Sequence, residues 1–205
     1  MISGDYAVVI LAAGGSSRMG SPKQLLPFAG KPLVRHAVET ALQTNCRGVV
    51  VVLGANAGEI RPVLEGLETR GKFLTITENP RWAEGMGSSI HAGLEALSAQ
   101  QVQGLILTLS DMPLVTAAIL QRLASEHDRT GQPIVSSSYA GTVGVPVFFA
   151  ASHFSQLQEL APQQGCKGVI LKNGEAVLRI PCPEAEADID TPQDYARLQD
   201  SSFVK

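Results

Sequence analysis

Residues 7–13 read Ala-Val-Val-Ile-Leu-Ala-Ala, an unbroken apolar run. Successive side chains of a strand point to opposite faces, so such a run is buried on both. A strand buried on both faces is the middle of a sheet with helices on each side, as in parallel α/β folds. The rest of the chain agrees. Strand-like runs at 48–53, 73–77, 105–109, 134–137, 145–149 and 177–180 alternate with helix-period segments at 33–44, 89–97, 116–127, 151–160, 166–172 and 192–198. Thr116 is placed to cap the helix that follows it. The last helix opens with Thr191 as N-cap, Pro192 at N1 and Asp194 at N3, the spacing of a capping box. The expected fold class is α/β: a single three-layer domain over residues 1–205 with a mostly parallel, Rossmann-like twisted sheet.

Composition narrows the function. The chain has 205 residues, 44% apolar and 17% charged, enough for one domain with a substantial core. Its formal charge of −3 supplies no general positive field. A nucleic-acid partner is therefore not expected, and any anionic ligand must be held by a local cluster. The longest apolar runs, 7–13 and 49–53, fall far short of the roughly 18 residues of a membrane span. Residues 1–5 show no basic stretch ahead of an apolar one, so neither a membrane partner nor a signal peptide is expected. Cys46, Cys166 and Cys182 are odd in number and form no CxxC pair. A reduced, cytoplasmic setting fits, with neither a disulfide framework nor a zinc site.

Three segments carry chemistry. The first follows the opening strand: Leu11-Ala12-Ala13-Gly14-Gly15-Ser16-Ser17-Arg18-Met19-Gly20-Ser21-Pro22-Lys23. Ligands of open α/β sheets bind at the carboxyl ends of the strands. Glycines there let backbone N–H groups approach an anion, Arg18 adds a planar fork and Lys23 a point charge. Together they describe a polyphosphate cradle. It is neither a Walker A loop, since Gly20 is followed by Ser-Pro, nor a GxGxxG turn, since Gly14 and Gly15 are adjacent. The nucleotide-binding candidates here are Leu11, Ala12, Ala13, Gly14, Gly15, Arg18 and Lys23.

The second is acidic. Asp111 stands just beyond the apolar run 105–109, where a carboxylate suits Mg²⁺ or caps a turn. Asp188 and Asp190 precede the last helix; one could complete a metal site, or both could be solvated acids. The third segment, residues 78–89, joins a strand to a helix. Gly85, Ser88 and Ser89 make a hydroxyl-rich helix start that can donate to an anion or base, with Ser88 or Ser89 as N-cap. Trp82 reads as a packing anchor, and His36, His91, His127 and His153 lack metal-ligand spacing.

The string LAAGGSSRMGSPKQLL resembles the LAAGxSxRMGxxK opening motif of nucleotidyltransferases with a pyrophosphorylase-type, GT-A-like α/β fold, the MobA-like superfamily. Residues 79–89 are similar to the NPxWxxGMxSS box of its molybdenum cofactor cytidylyltransferase branch. The resemblance implies that Asp111 and Asp190 are metal-site residues, that Mg²⁺ is the cofactor, and that Arg18, Lys23 and Asp111 are catalytic. It divides the chain into a nucleotide-binding half, about 1–115, and an acceptor half, about 116–205. It further implies a nucleoside triphosphate donor, CTP favoured, a phosphorylated small-molecule acceptor, molybdopterin favoured, and a molybdoenzyme client. The acceptor half departs from the branch. Val145 stands where a histidine is usual, and residues 162–167 keep a basic residue, Lys167, but lose the acid of a Gly-Asp-x-Gly-Ala-Arg box. GTP as donor, a sugar or alcohol phosphate as acceptor, and a non-catalytic molybdenum cofactor carrier are the competing readings.

Overall fold

The apolar opening run forms a strand, β1 (Tyr6–Ala12), buried along its whole length. The other strands are β2 (Pro27–Phe28), β3 (Lys31–Pro32), β4 (Gly48–Leu53), β5 (Phe73–Glu78), β6 (Gly104–Leu109), β7 (Ile134–Tyr139), β8 (Thr142–Ala150) and β9 (Val177–Pro181). The helices are α1 (Leu33–Leu42), α2 (Ala57–Ile60), α3 (Met86–Leu97), α4 (Ala117–Thr130), α5 (Phe154–Gln158), α6 (Lys167–Lys172) and α7 (Pro192–Asp200). The computed structural model describes residues 4–200; residues 1–3 and 201–205 of the expected domain, including the start of the segment read for a signal peptide, lie outside the described residues.

A seven-stranded sheet has the order β5-β4-β1-β6-β8-β7-β9. β5, β4, β1 and β6 run parallel, and β8 enters antiparallel to both β6 and β7. The alternation along β1 divides two cores. Val8, Ile10 and Ala12 share one with Val34, Val38 and Ala41 of α1, while Ala7, Val9 and Leu11 share the other with Ile90, Leu94 and Leu97 of α3. The fold is thus a single α/β domain with a mostly parallel sheet between helical layers.

Differences from the sequence reading are local. α3 begins at Met86, not at 89, because Gly85 turns the chain into the helix at φ 123°, a conformation glycine adopts readily. Ser88 and Ser89 are therefore inside the helix, and neither is its N-cap. α1 stops at Leu42 rather than 44: Thr44 bonds back to the Ala41 carbonyl through its N–H at 3.1 Å and its hydroxyl at 2.8 Å. α5 is only Phe154–Gln158, with a 3₁₀ turn at Ala151–His153 taking up the start of the expected helix. The strands expected at 134–137 and 145–149 are longer and form a hairpin, since Ala140 and Gly141 both take positive φ, 46° and 71°, as a two-residue I′ turn requires.

The capping box on α7 is present. Thr191 N–H donates to Asp194 Oδ2 at 2.9 Å, and Asp194 N–H donates to Thr191 Oγ1 at 3.2 Å. Thr191→Ala is expected to cost about 1 kcal/mol, read as a melting temperature lower by about 2–4 °C in thermal denaturation. Thr191→Ser should keep most of that stability.

Candidate active site

The carboxyl ends of β1 and β6 open onto one cavity of about 330 Å³. Its lining includes Leu11, Ala12, Ala13, Gly14, Gly15, Lys23, Gly85, Ser89 and Asp111, drawn from all three chemistry-bearing segments. Trp82 and Met86 complete one wall. The Trp82 ring lies against Gly15, where an added Cβ would sit 3.2 Å from its edge. Trp82, expected as a packing anchor, is instead 38% exposed and borders the cavity.

The glycine turn is braced by a neighbouring side chain. The Gln24 side chain, 1% exposed, donates to the carbonyls of Ala12 at 3.2 Å and Gly14 at 2.8 Å. Ala55 N–H donates to the Ala13 carbonyl at 3.0 Å and Met19 N–H to the Ser16 carbonyl at 2.9 Å. An anion-binding turn must keep its carbonyl oxygens engaged away from the anion, and these bonds do so. Ser16 Oγ links the brace to the next element, donating to Gln24 Oε1 at 3.2 Å and accepting from Lys23 N–H at 3.0 Å. Gln24 escaped the sequence reading because a glutamine between Lys23 and the apolar Leu25-Leu26 looks like any exposed polar residue. Gln24→Leu keeps a similar bulk and removes both carbonyl bonds. Its expected effect is about tenfold weaker nucleotide binding, the scale of one lost hydrogen bond to a buried acceptor, measured by titration calorimetry.

The ionisable groups form one chain. Lys23 Nζ bonds Asp111 Oδ2 and lies 2.7 Å from Asp190 Oδ1; Arg18 Nη2 lies 3.0 Å from Asp190 Oδ2. The side chains of Lys23 and Asp111 are 15% and 9% exposed, those of Arg18 and Asp190 68% and 36%, so the cluster runs from the cavity to its rim. Asp190 reaches it because the Ile189 N–H donates to the Asp111 carbonyl at 3.1 Å, fastening the segment before α7 to the end of β6. Burial works to lower the Lys23 pKa, but Asp111 and Asp190 outweigh it and hold the ammonium above its ordinary value. The hydrogen bond from Lys23, with Arg18 beside it, holds Asp190 below the usual carboxylate range. Asp188 is pushed up by burial and by the charges of Asp190 and Asp111.

The residues fit a divalent cation. Asp111 Oδ1 is buried without a hydrogen-bond partner, a hard oxygen donor left unused. Mg²⁺ takes one or two carboxylates and completes its shell with phosphate oxygens and water. Asp111 and Asp190 are the two carboxylates here that would supply such a pair. Among the described residues no group of three or more His, Cys, Asp or Glu gathers to hold a metal, so a cation on these two carboxylates would take its other ligands from a bound anion and solvent.

The structure thus unites Arg18, Lys23, Asp111 and Asp190 around one cavity. Arg18 and Asp190 join it through ion pairs rather than as lining. Ser88 is the exception among the nucleotide candidates. It is buried, its hydroxyl donates to the carbonyls of Gly85 at 2.7 Å and Arg81 at 2.9 Å, and Asn79 Nδ2 donates to it at 2.8 Å. It pins the loop rather than lining the cavity. The cysteines are free and buried, and burial pushes the Cys166 thiol up to about 12. His36 and His127 bond backbone carbonyls, and His127 stacks on Phe148.

Comparison with known proteins gives the family. The chain is 40% identical over 135 residues to the nicotine blue oxidoreductase of Paenarthrobacter nicotinovorans, spanning 64% of this chain and 61% of that protein. It is 28% identical over 188 residues to the molybdenum cofactor cytidylyltransferase of Escherichia coli K12, spanning 91% and 92%. The chain covers between 26% and 61% of the length of the first curated relatives it matches. The solved structure of Rv0371C from Mycobacterium tuberculosis H37Rv in complex with manganese superposes with a TM-score of 0.75 at 26% identity, covering 96% of this chain and 99% of that one. No helix among the described residues is long and apolar enough to cross a membrane. Residues 8–177 match the MobA-like NTP transferase domain, a stretch that contains every lining residue of the cavity, and the chain belongs to that family.

Proposed function

We propose that the protein transfers a nucleotidyl group from a nucleoside triphosphate, CTP in preference to GTP, to the phosphate of a small-molecule acceptor, releasing pyrophosphate. Mg²⁺ is its metal, molybdopterin or molybdenum cofactor its acceptor, the cytoplasm its setting and a molybdoenzyme the client for the product. The observation that carries the reading is the Arg18–Asp190–Lys23–Asp111 ion chain at the foot of the glycine turn. Similarity to the Escherichia coli cytidylyltransferase along nearly its whole length supports the choice of donor and acceptor.

A phosphate monoester has a second pKa near 6 and is mostly dianionic at neutral pH. The acceptor therefore arrives as its own nucleophile, and no side chain has to remove a proton. The difficulty is bringing two anions together and releasing a third. The glycine turn receives the triphosphate, Lys23 and Arg18 offset charge on its oxygens, and Asp111 with Asp190 hold the cation site. Mg²⁺ held by Asp111 and Asp190 would offset charge on the triphosphate and on the departing pyrophosphate. The nucleotide lies on the half about 1–115 and the acceptor on the half about 116–205, with Asp190 reaching across from the second to the first.

On the acceptor half, two hollows of about 540 and 550 Å³ share Lys167 and Leu171. Val145 is half-buried and packs with the core of β8. It offers no polar group, which keeps a cofactor-carrier reading open to test. Purified protein with Mg²⁺, molybdopterin and either CTP or GTP distinguishes these readings. The expected result is pyrophosphate release with CTP at least about tenfold faster than with GTP, a difference of about 1.4 kcal/mol. CTP binding with no pyrophosphate release would favour the carrier, and equal rates would remove the cytidylyl preference.

A further inference from the structure

Lys23 is asked to serve two sets of anions. The nucleotide reading needs its ammonium on the triphosphate, yet here it lies between Asp111 Oδ2 and Asp190 Oδ1, the two carboxylates that suit a divalent cation. Two of its three N–H donors are already taken by these carboxylates, and a divalent ion on the same oxygens would meet a positive charge at hydrogen-bond distance. We propose that Lys23 is a built-in surrogate cation: it occupies the metal's place until a triphosphate draws it away, so that metal and nucleotide enter as a coupled pair. This rests on the nucleotidyltransferase reading and adds to it an order of loading.

The local structure suits such an exchange. The Lys23 main chain is held by its N–H bond to Ser16 Oγ at 3.0 Å and by the Leu26 N–H donating to its carbonyl at 3.1 Å. Only the four-carbon stem has to swing. Asp190 keeps a second partner in Arg18, 3.0 Å away, when the ammonium leaves. Among the described residues Asp111 has no second partner: its Oδ1 is already orphaned, so departure of Lys23 leaves its carboxylate unpaired there and strongly attractive to a cation. Coupling is reciprocal: whatever the triphosphate adds to metal affinity, the metal adds to triphosphate affinity.

The test measures Mn²⁺ alone, without nucleotide, by electron paramagnetic resonance on wild type, Lys23→Met and Lys23→Met/Asp111→Asn. Lys23→Met should bind Mn²⁺ about tenfold tighter or more than wild type, since a competing unit charge has gone. The gain should vanish in the double variant, and Mn²⁺ should raise the melting temperature of Lys23→Met more than that of wild type. Equal Mn²⁺ affinity in wild type and Lys23→Met, or a gain that survives Asp111→Asn, overturns the proposal. A second measurement needs no variant. In wild type with nitrogen-labelled lysine, the Lys23 ammonium resonance should stay put when Mg²⁺ is added alone and shift when Mg²⁺ and CTP are added together; a shift with Mg²⁺ alone overturns the proposal. CTP binding on the same sample separates the two ideas. Its absence sinks the nucleotidyltransferase reading, whereas binding that leaves the lysine resonance unmoved sinks only the exchange.

Discussion

Asp111→Asn is expected to lower the rate of pyrophosphate release by about 10²- to 10³-fold, the scale of losing one preorganised electrostatic group at a reacting centre. Asparagine fills the same space and still offers one oxygen to Lys23, so circular dichroism should match wild type. What disappears is the negative charge. Oδ1 is the buried, unpartnered atom that suits a hard cation, and a neutral amide there binds such a cation poorly. The neighbouring Lys23 also loses the partner whose charge most raises its pKa. Steady-state kinetics at saturating nucleotide and metal read the effect as a fall in kcat. Near-normal turnover would remove Asp111 from the machinery and leave the ion chain without its inner end.

Gly87→Ala should destabilise the protein by about 1–3 kcal/mol, the cost of overpacking a filled site. Its Cβ would lie 2.4 Å from the Ala161 carbonyl oxygen and 3.0 Å from the carbonyl oxygens of Pro162 and Gln164. All three neighbours are backbone, so no side chain can rotate aside. The start of α3 must retreat from residues 161–164, stretching the Ser88 N–H bond to the Pro162 carbonyl, now 3.3 Å. Gly85, Met86 and Ser89 line the cavity on that same stretch, so nucleotide affinity should fall along with the melting temperature. Gly168→Ala is the matched control. It lies in the first turn of α6 with nothing within 4 Å of an added Cβ, and alanine there should add a few tenths of a kcal/mol, less than the roughly 1 kcal/mol of a helix interior. Thermal denaturation of the two variants side by side should move in opposite directions. A Gly87→Ala protein as stable as wild type would show that the close approach at α3 is not what holds the cavity wall.

The parts of the site that could be read from the chain are those whose cause is local. The apolar run of β1 requires cover on both faces, the adjacent Gly14 and Gly15 mark the turn after it, and Asp111 follows directly on the apolar strand β6. Thr191, Pro192 and Asp194 specify the start of α7 by their spacing alone, and the structure keeps that box. The start of α3 escaped because it depends on a distant segment. An added Cβ at Gly85 would lie 2.7 Å from the Gln163 Cα, so the turn there is shaped by a loop almost eighty residues away as well as by glycine's freedom. Ser88 misled for a related reason: a hydroxyl near a helix start is as well suited to pinning its own loop as to meeting a ligand.

What the amino-acid order determined by itself was the α/β class, the central strand and the glycine turn after it, because periodicity, glycine conformation and capping act over a few residues. What only the folded chain decided was which charges meet. Lys23 and Asp190 are 167 residues apart, and the Ile189 bond to the end of β6 brings them to 2.7 Å. A cationic side chain has no fixed partner until the backbone carries a carboxylate to it, so the sequence supplied the charges and the tertiary structure chose their pairing.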